Sequence, residues 1–191
     1  MKPLFCLIGK SASGKTTIAN ILEEKKYGYR QVLSYTTRPP RYDGEIGHIF
    51  VSEEDFDNLG EFAGYTEYNG YRYGTTFDQL KESNIYVIDV PGIETLLRQH
   101  KKLNRAIRII YFSSTVYTRI NRMINRGSSD TEIVSRLLQD EEYDWYKKLD
   151  SLTWHYDNNE HADVDLYKID ANMPLSEVVS HVMYYINKYE E

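Results

Sequence analysis

Residues 9–16, GKSASGKT, follow the pattern G-x-x-x-x-G-K-[ST], whose residue types suit a bound nucleotide phosphate. Gly9 and Gly14 permit backbone conformations that turn N–H groups toward phosphate oxygens. Lys15 can reach the β- and γ-phosphates, and Thr16 offers a hydroxyl to Mg²⁺. A glycine-rich turn without a ligand is the alternative. An apolar strand before the loop and a helix after it favour a phosphate-binding loop.

A second segment, SYTTRPPR at residues 34–41, places Arg38 and Arg41 beside two prolines. Proline fixes its own φ and disfavours the helical region for the residue before it, so the segment is predicted to be extended and stiff. A rigid loop that presents two guanidinium groups in a chain of net charge −6 suggests a bound anion. Two surface arginines on a solvated loop are the alternative.

A third group of arginines lies in and after RINRMINRG, namely Arg119, Arg122, Arg126 and Arg136. Arg122 and Arg126 are four residues apart and share a helix face, where like charges repel unless an anion or a carboxylate lies between them. The turn GSSD then separates two helical segments and could act as a hinge. Together with a phosphate-binding loop, this pattern favours a lid that clamps phosphate. The alternative is a basic surface face paired with acids such as Asp140.

A parallel sheet covered by helices must position these residues, because apolar runs alternate with helical segments along the chain. The predicted buried strands are LFCLI (4–8), IYVIDV (85–90), AIRIIYF (106–112) and VDLYKI (164–169). The predicted helices are 17–24, the segment after Pro91-Gly92, 115–125 capped by Ser113 or Ser114 and ended by Gly127, a long helix from Ser129 to about Lys147, and one that begins near Pro174. The polar residues 154–163 are predicted to form a loop.

Residues 34–83 interrupt this alternation and are predicted to form an antiparallel insertion. They contain the strand-like HIFV, a helix that begins at Ser52, and YTEYNGYRYG, in which Asn69-Gly70 is a strong hairpin signal. Asp89 follows the insertion and ends YVID, so it lies at the carboxyl end of a core strand, where open α/β sheets bind ligands. A buried structural aspartate is the alternative for Asp89.

Composition narrows the functional classes. A chain of 191 residues suffices for one substantial core, and a net charge of −6 argues against a general nucleic-acid binder. The single cysteine, Cys6, makes no internal disulfide and is expected in the core, which suits a reducing cytoplasm. No stretch has the length of a signal peptide or a membrane span. A GTPase would be expected to carry an N-K-x-D-like motif, and the sequence has none.

In order and spacing, GKSASGKTT, SYTTRPPR, GEIGHIFVS, YNGYRYGTT, VIDVPG and RGSSDTEIVSRL resemble the guanylate kinase family over about residues 4–140. The resemblance implies an α/β fold with a P-loop NTPase core, in which helices flank a parallel sheet of five strands in the order 2-3-1-4-5. It implies one domain, 1–191, with its core at 1–33 and 84–191, a small mixed α/β insertion at 34–83 that binds the nucleoside monophosphate, and a short lid at about 126–131. The implied activity is transfer of the γ-phosphoryl group of MgATP to GMP or dGMP.

The resemblance also assigns roles to individual residues. Those that match catalytic positions are Lys15, Arg38, Arg41, Arg126 and Arg136. Those that match ATP-binding positions are Gly9, Ser11, Ser13, Gly14, Lys15, Thr16, Thr17, Arg122, Arg126 and Asn172. Those that match acceptor-binding positions are Ser34, Arg38, Arg41, His48, Tyr73, Thr75 and Asp89. Mg²⁺ would be held by Thr16 through ATP, with Asp89 acting through water. The implied partners are these small molecules, without nucleic acid or membrane.

Three positions depart from the family pattern. His48 replaces a phosphate-binding tyrosine, Val87 replaces one carboxylate of a D-x-D pair, and Gly64 aligns with the glutamate that reads the guanine edge. The alternatives are therefore a monophosphate kinase of altered base specificity, a non-catalytic interaction domain of the same fold, and a kinase for a sugar or acid acceptor. An intact phosphate-binding loop disfavours the interaction domain. The Arg38–Arg41 loop with Tyr73 disfavours an acceptor that has no phosphate.

Overall fold

The computed structural model of the protein describes residues 2–24, 27–40, 43–140 and 144–189. Its strands are β1 (Leu4–Ile8), β2 (Ser34–Thr36), β3 (His48–Phe50), β4 (Phe62–Tyr68), β5 (Tyr71–Thr76), β6 (Ile85–Val87), β7 (Ile107–Ser113) and β8 (Val164–Asp170). Its helices are α1 (Lys15–Leu22), α2 (Glu53–Asp57), α3 (Phe77–Glu82), α4 (Val90–Arg98), α5 (His100–Leu103), α6 (Val116–Asn125), α7 (Asp130–Asp140), α8 (Trp145–Asn158) and α9 (Leu175–Asn187). In the described part of the chain, every helix is too short or too polar to cross a lipid bilayer.

The main sheet is parallel and has the order β6-β1-β7-β8. These strands have the relative order 3-1-4-5 of the expected arrangement. The place expected for strand 2 is taken by a single parallel bridge between Gln31 and Ile85, next to β6. A full strand does not form there in the described residues, because the chain already joins a different sheet at Ser34.

The apolar run of β1 is buried on both faces of the main sheet, as its sequence predicts. Leu4, Cys6 and Ile8 face one side, where α4 and α8 also contribute to the core. Phe5 and Leu7 face the other side, where α1 and α9 pack. All five side chains are fully buried. Because β1 cannot shift in register without exposing this run, it fixes where the loop that follows it begins.

Residues 34–76 form a second sheet of order β3-β2-β5-β4. The β4–β5 hairpin turns at Asn69 and Gly70, both with positive φ, as a tight hairpin turn requires. The prediction of a purely antiparallel insertion is wrong in one respect, because β2 and β3 pair in parallel. A long connection between those two strands, which includes the proline segment, makes the parallel pairing possible.

The predicted strand over 85–90 ends early, at Val87, and α4 begins at Val90. Asp89 is the N-cap of α4, since its Oδ1 accepts the Gly92 N–H at 2.8 Å. Pro91 lies in the first helical turn, where a missing N–H leaves no hydrogen bond unmade. Pro91-Gly92 therefore starts the helix rather than ending a strand.

Other helix boundaries also differ from prediction. Thr115, and neither Ser113 nor Ser114, caps α6 by accepting the Thr118 N–H. The predicted long helix instead divides into α7 and α8, and α8 continues to Asn158, so the prediction of a loop is wrong over 154–158. The reason is that Leu149, Leu152 and Tyr156 form an apolar stripe at helical spacing that packs against the core.

Candidate active site

The loop between β1 and α1 has a backbone shaped for an anion. Ala12 and Gly14 have φ of 59° and 106°, and Gly14 caps α1 without a side-chain acceptor. The first amides of α1 therefore lack a side-chain cap. A Cβ added at Gly9 would lie 2.7 Å from the Phe112 carbonyl oxygen, so the start of the loop tolerates only glycine.

The Lys15 ammonium lies over this loop and donates to the Gly9 oxygen at 2.6 Å and the Lys10 oxygen at 3.1 Å. Burial lowers the pKa of Lys15 to about 8, although the carboxylates of Asp140 and Asp89 raise it. A weakly solvated cation held over a loop of amides attracts a phosphate strongly, because little hydration must be removed on binding. The loop and its lysine thus form an anion site before any ligand arrives.

Asp140 is a functional candidate whose position the sequence did not predict. Its carboxylate accepts the Ser11 N–H at 2.9 Å and the Ser11 hydroxyl at 3.3 Å. It also forms an ion pair of 2.6 Å with Arg119, and the two side chains are 4% and 1% exposed. Burial raises the pKa of Asp140, while Ser11, Arg119 and Lys15 lower it. Asp140 was predicted only as a possible partner in a surface face, whereas it joins the end of α7 to the phosphate loop.

The remaining arginines of this region take different positions. Arg122 donates to the carbonyl oxygens of Ala12, Ser13 and Ala171 at 3.3, 3.0 and 2.7 Å, so it supports the back of the loop. Burial, followed by the charge of Arg126, lowers the pKa of Arg122. Arg126 is exposed at the end of α6, and its charge also acts on Lys15.

Arg136 lines the cleft beside Asp140. Among the described residues, neither Arg126 nor Arg136 has an ion-pair partner. Their guanidinium groups are thus available to a ligand, unlike that of Arg122, which is held by backbone carbonyls.

The proline segment holds Arg38 in a bidentate contact with Glu45. The two nitrogen–oxygen distances are 2.9 and 3.1 Å, and both side chains are mostly buried. Arg38 Nε is also buried and has no acceptor among the described residues. The prediction that Arg38 faces an anion is consistent with this geometry, and the anion present is a carboxylate of the same chain. Arg41, the second predicted arginine, lies outside the described residues.

Three predicted acceptor residues lie together on the second sheet. The Ser34 hydroxyl and His48 Nδ1 are 3.0 Å apart, and the two residues are direct partners in the β2–β3 register. The rings of His48 and Tyr73 meet edge to face with centroids 5.5 Å apart. Tyr73 in turn interacts with Arg38. Strand pairing brings these side chains to one face of the sheet, although they are far apart in sequence.

Asp89 faces the cleft from the end of the main sheet. Its Oδ1 accepts the Gly92 N–H and its Oδ2 accepts the Thr66 hydroxyl at 3.1 Å. Burial raises the pKa of Asp89, and these hydrogen bonds and Lys15 lower it. The two interpretations of Asp89 as a site residue and as a structural residue are therefore compatible, since each oxygen keeps a lone pair beyond its structural bond.

Thr75, another predicted acceptor contact, is fully buried and forms a 2.7 Å hydrogen bond with the Tyr86 hydroxyl. Tyr86 is 4% exposed and lines the cleft. Gly64 pairs with Thr75 in the β4–β5 register. A Cβ added at Gly64 would lie 3.1 Å from the Tyr86 hydroxyl oxygen. Tyr86, which sequence reasoning did not single out, fills the space that a side chain at position 64 would enter.

The end of α7 also contacts the tip of the β4–β5 hairpin. The Tyr68 hydroxyl donates to the Gln139 side-chain oxygen, and the Gln139 amide donates to the Asn69 side-chain oxygen. Because Asp140 follows Gln139, adjacent residues of α7 contact the hairpin and the phosphate loop. The cleft is thereby bridged on one side.

The other residues predicted to contact ATP lie in the phosphate loop, on the first turn of α1 and just after β8. Ser13 is buried within the loop, whereas Thr16 is exposed and Thr17 half-buried on the first turn of α1. Asn172 accepts the Thr115 N–H at 3.0 Å and donates to Asp170 at 2.6 Å, so its side chain organises the start of α6. A contact between Asn172 and adenine would therefore have to use the second amide N–H or the second oxygen lone pair of its side chain.

One cleft collects residues from the phosphate loop, the second sheet, the end of β6 and α7. It is lined by Gly9, Ser11, Lys15, Ser34, His48, Thr66, Tyr68, Tyr73, Tyr86, Asp89, Arg136 and Asp140, among others. A phosphate-binding loop thus faces a polar and aromatic pocket across a short gap. Two substrates could lie end to end there, with cations between them.

Comparison with known proteins agrees with this arrangement. Residues 1–154 match the family model described as guanylate kinase. The chain is similar to guanylate kinase of Paraburkholderia xenovorans, with 31% identity over 71% of this chain and 64% of that protein. It is also similar to guanylate kinase of Geobacter sulfurreducens, with 32% identity over 70% of each chain.

In fold, the chain resembles the crystal structure of guanylate kinase from Anaplasma phagocytophilum. The TM-score is 0.53 at 16% identity, over 98% of this chain and 85% of that one. This similarity confirms the predicted α/β class, with a parallel sheet flanked by helices.

Proposed function

Because the chain belongs to the guanylate kinase family, we propose that it transfers the γ-phosphoryl group of MgATP to the phosphate of GMP or dGMP. The observation that carries the proposal is the single cleft that joins the phosphate-binding loop and Lys15 to the Ser34–His48–Tyr73 cluster. The match spans just under two thirds of the length of the P. xenovorans relative. The substrates of that protein are therefore not transferred as such, and the proposal depends on the residues of this chain.

In the proposed reaction, the acceptor phosphate oxygen attacks the γ-phosphorus in line while the bond to the β,γ-bridging oxygen breaks. Negative charge spreads over the transferred group, and fixed cations stabilise it. Lys15 holds the donor phosphates from the loop, and Arg136 and Arg126 approach from α7 and the end of α6. Arg38 and Arg41 hold the acceptor phosphate. No covalent enzyme intermediate is needed.

Arg38 has a specific part in this proposal. Glu45 holds its guanidinium in one orientation, which removes the entropic cost of ordering a long side chain when the acceptor binds. Arg38 Nε is buried without an acceptor among the described residues, and it can donate to a phosphate oxygen while the Glu45 contact persists. Tyr73 adds a hydroxyl beside it.

The donor set also fits Mg²⁺. Mg²⁺ is usually held by one or two protein oxygens together with substrate phosphates and water. The Thr16 hydroxyl is exposed beside the loop, and Thr16 would hold the ion through ATP. The Asp89 carboxylate, which interacts with Lys15, would act on the ion through water. When bound, the ion neutralises charge on the donor phosphates.

We also propose a division of labour within one domain. Residues 1–33 and 84–191 form the donor core, 34–83 bind the acceptor, and about 126–131 act as the lid. Closure over both substrates would exclude water and prevent wasteful hydrolysis of ATP. The contacts of Gln139 and Asp140 support a closing surface that extends to the end of α7. A cytoplasmic location and small-molecule partners belong to the same proposal.

Turnover measured with MgATP and a panel of acceptors tests the function. GMP and dGMP are expected to be phosphorylated, and Lys15→Ala is expected to abolish transfer without unfolding the protein. Lys81→Ala, which alters an exposed lysine paired with Asp78, is the control. Arg41→Ala is expected to raise KM for the acceptor and leave KM for ATP near normal. Unchanged turnover in Lys15→Ala would refute the kinase assignment, and an interaction domain would show no turnover at all.

A further inference from the structure

The part of the cleft between β4 and the end of β6 carries the hydroxyl groups of Thr66 and Tyr86 beside the apolar side chains of Val87 and Ile88. Among the described residues that line the cleft, the carboxylates are Asp89 and Asp140. Asp140 is engaged by Ser11 and Arg119 at the phosphate loop. Glu67, the nearest acid on β4, is exposed and accepts the Tyr65 hydroxyl at 2.6 Å. Asp89 accepts from Gly92 and Thr66, and each of its oxygens keeps a further lone pair, so it is the carboxylate available to a base in this part of the cleft.

Tyr86 and Thr75 provide the other recognition element. Their hydroxyl oxygens are 2.7 Å apart and both side chains are buried. Tyr86 lines the cleft, and Thr75 is fully buried behind it. When the Thr75 hydroxyl donates to the Tyr86 oxygen, the Tyr86 O–H and one lone pair remain for a ligand. Burial raises the pKa of Tyr86 well above its ordinary value, which keeps the phenol neutral. The pair therefore both donates and accepts.

Position 64 cannot add a further polar group. A Cβ built there would lie 3.1 Å from the Tyr86 hydroxyl oxygen, 3.4 Å from Tyr86 Cε1 and 3.6 Å from Ile88 Cδ1. The Tyr86 ring already occupies the volume into which a longer side chain would extend. Tyr86 thus determines both the shape and the hydrogen-bonding character of this wall.

We infer that the Tyr86–Thr75 hydroxyl pair and Asp89 read the acceptor base, so that the enzyme accepts 6-oxopurine monophosphates as a class, IMP as well as GMP. This inference rests on the proposed function. The spare O–H donates to the carbonyl oxygen at C6, and Asp89 accepts from the ring N1–H. No described carboxylate is left over for the amino group at C2. Adenine presents a lone pair at N1 toward Asp89 and is rejected.

The expected ratio of kcat/KM between two bases depends on which buried hydrogen-bonding groups lose their partner when one base replaces the other. A site built to hydrogen-bond a substrate group rejects the analogue without that group by about 10⁴–10⁵, because buried polar groups lose their partner. With no dedicated partner, the amino group at C2 contributes at most one ordinary hydrogen bond, to water or a neighbouring hydroxyl, and losing it corresponds to no more than about tenfold. We therefore expect kcat/KM for GMP to exceed that for IMP by about tenfold at most, and AMP to be used far less than either.

The first experiment measures kcat/KM with MgATP for GMP, dGMP, IMP and AMP, together with dissociation constants of the same nucleotides by calorimetry. A GMP-to-IMP ratio below about a hundredfold supports the inference, and a larger ratio overturns it. If no monophosphate is phosphorylated, the proposed function fails. The ratio of the dissociation constants then still decides the question of base recognition.

The second experiment removes one atom. Tyr86→Phe is expected to lower kcat/KM for GMP and IMP by a similar factor of about ten, with KM for ATP unchanged. Tyr185→Phe is the matched control, because it removes the hydroxyl of another buried tyrosine, bonded to Asp165 on the far strand β8. That control should lose stability without changing acceptor kinetics. Unchanged acceptor kinetics in Tyr86→Phe, or an equal loss in Tyr185→Phe, would overturn the role of Tyr86.

Discussion

Replacing Asp140 by alanine should affect both stability and ATP use, because one carboxylate serves two purposes. It pairs with Arg119, which is almost fully buried, and it accepts the Ser11 N–H of the phosphate loop. Removing one partner of a buried ion pair costs about 3–5 kcal/mol. A domain of ordinary stability has about 5–15 kcal/mol in total, so Asp140→Ala should fold but melt on the order of 10 °C lower.

A second variant separates the two purposes. Replacing a buried ion pair by apolar residues of similar volume is often neutral for stability, and a neutral amide costs less to bury than a lone carboxylate. Arg119→Met with Asp140→Asn removes both charges and keeps an amide oxygen that can accept the Ser11 N–H. This double variant should recover most of the lost stability. It should also recover ATP binding, because the loop keeps its anchor, whereas Asp140→Ala should show KM for ATP raised about tenfold, the value of one lost hydrogen bond.

Urea denaturation gives the free energy of unfolding for each variant, and steady-state kinetics give KM for ATP and for GMP. The acceptor constant should change less than the ATP constant, since Asp140 contacts the donor loop. If the free energy of unfolding of Asp140→Ala is within about 1 kcal/mol of the parent value and the variant binds ATP normally, then Asp140 does not anchor the loop. If the double variant stays as unstable as the single one, the cost does not come from buried charge.

Further outcomes follow from the charges and hydrogen bonds of the site. Because burial lowers the pKa of Lys15 to about 8, kcat/KM for ATP should fall as pH rises through 8, and a profile flat to pH 9.5 would contradict this. The folded state then binds fewer protons than the unfolded state above pH 8, so stability of the free protein should rise with pH there, as urea titrations can measure. Arg38→Ala should raise KM for GMP and not for ATP, and Glu45→Gln should do so more mildly, since it only frees the guanidinium; steady-state kinetics would expose a reversed pattern. Asn172→Ala should cost about 1 kcal/mol by removing the acceptor of the Thr115 N–H, and KM for ATP, measured alongside, tests its predicted adenine contact, which a large rise would support.

The parts of the site that the sequence predicted are those whose cause is local. The run 4–8 is buried on both faces because its residues are apolar, and the loop at 9–14 has its largest positive φ at Gly14, where glycine permits it. The hairpin at Asn69-Gly70 and the cap at Ser52 depend on neighbours within three residues. A short pattern suffices wherever both partners of an interaction lie inside it.

The parts that escaped prediction depend on contacts between distant residues. Ser11 and Asp140 are 129 positions apart, and nothing near either residue indicates the other. Tyr86 occupies the space beside Gly64 only because β4 of the second sheet lies against the end of β6. The absence of a side chain at Gly64 is visible in the sequence, but the hydroxyl that fills its space is not.

This acidic chain can form a site for highly charged anions because internal carboxylates hold its cations before substrate binds. Asp140 and Asp89 stabilise the charge of Lys15, Asp140 pairs with Arg119, and Glu45 orients Arg38. A buried cation without such partners would lose its proton or destabilise the fold. At Arg38 the Glu45 carboxylate leaves Nε without an acceptor among the described residues, so a phosphate can add to this pair without displacing it. Local pairing therefore lets a protein of net charge −6 present a positive cleft.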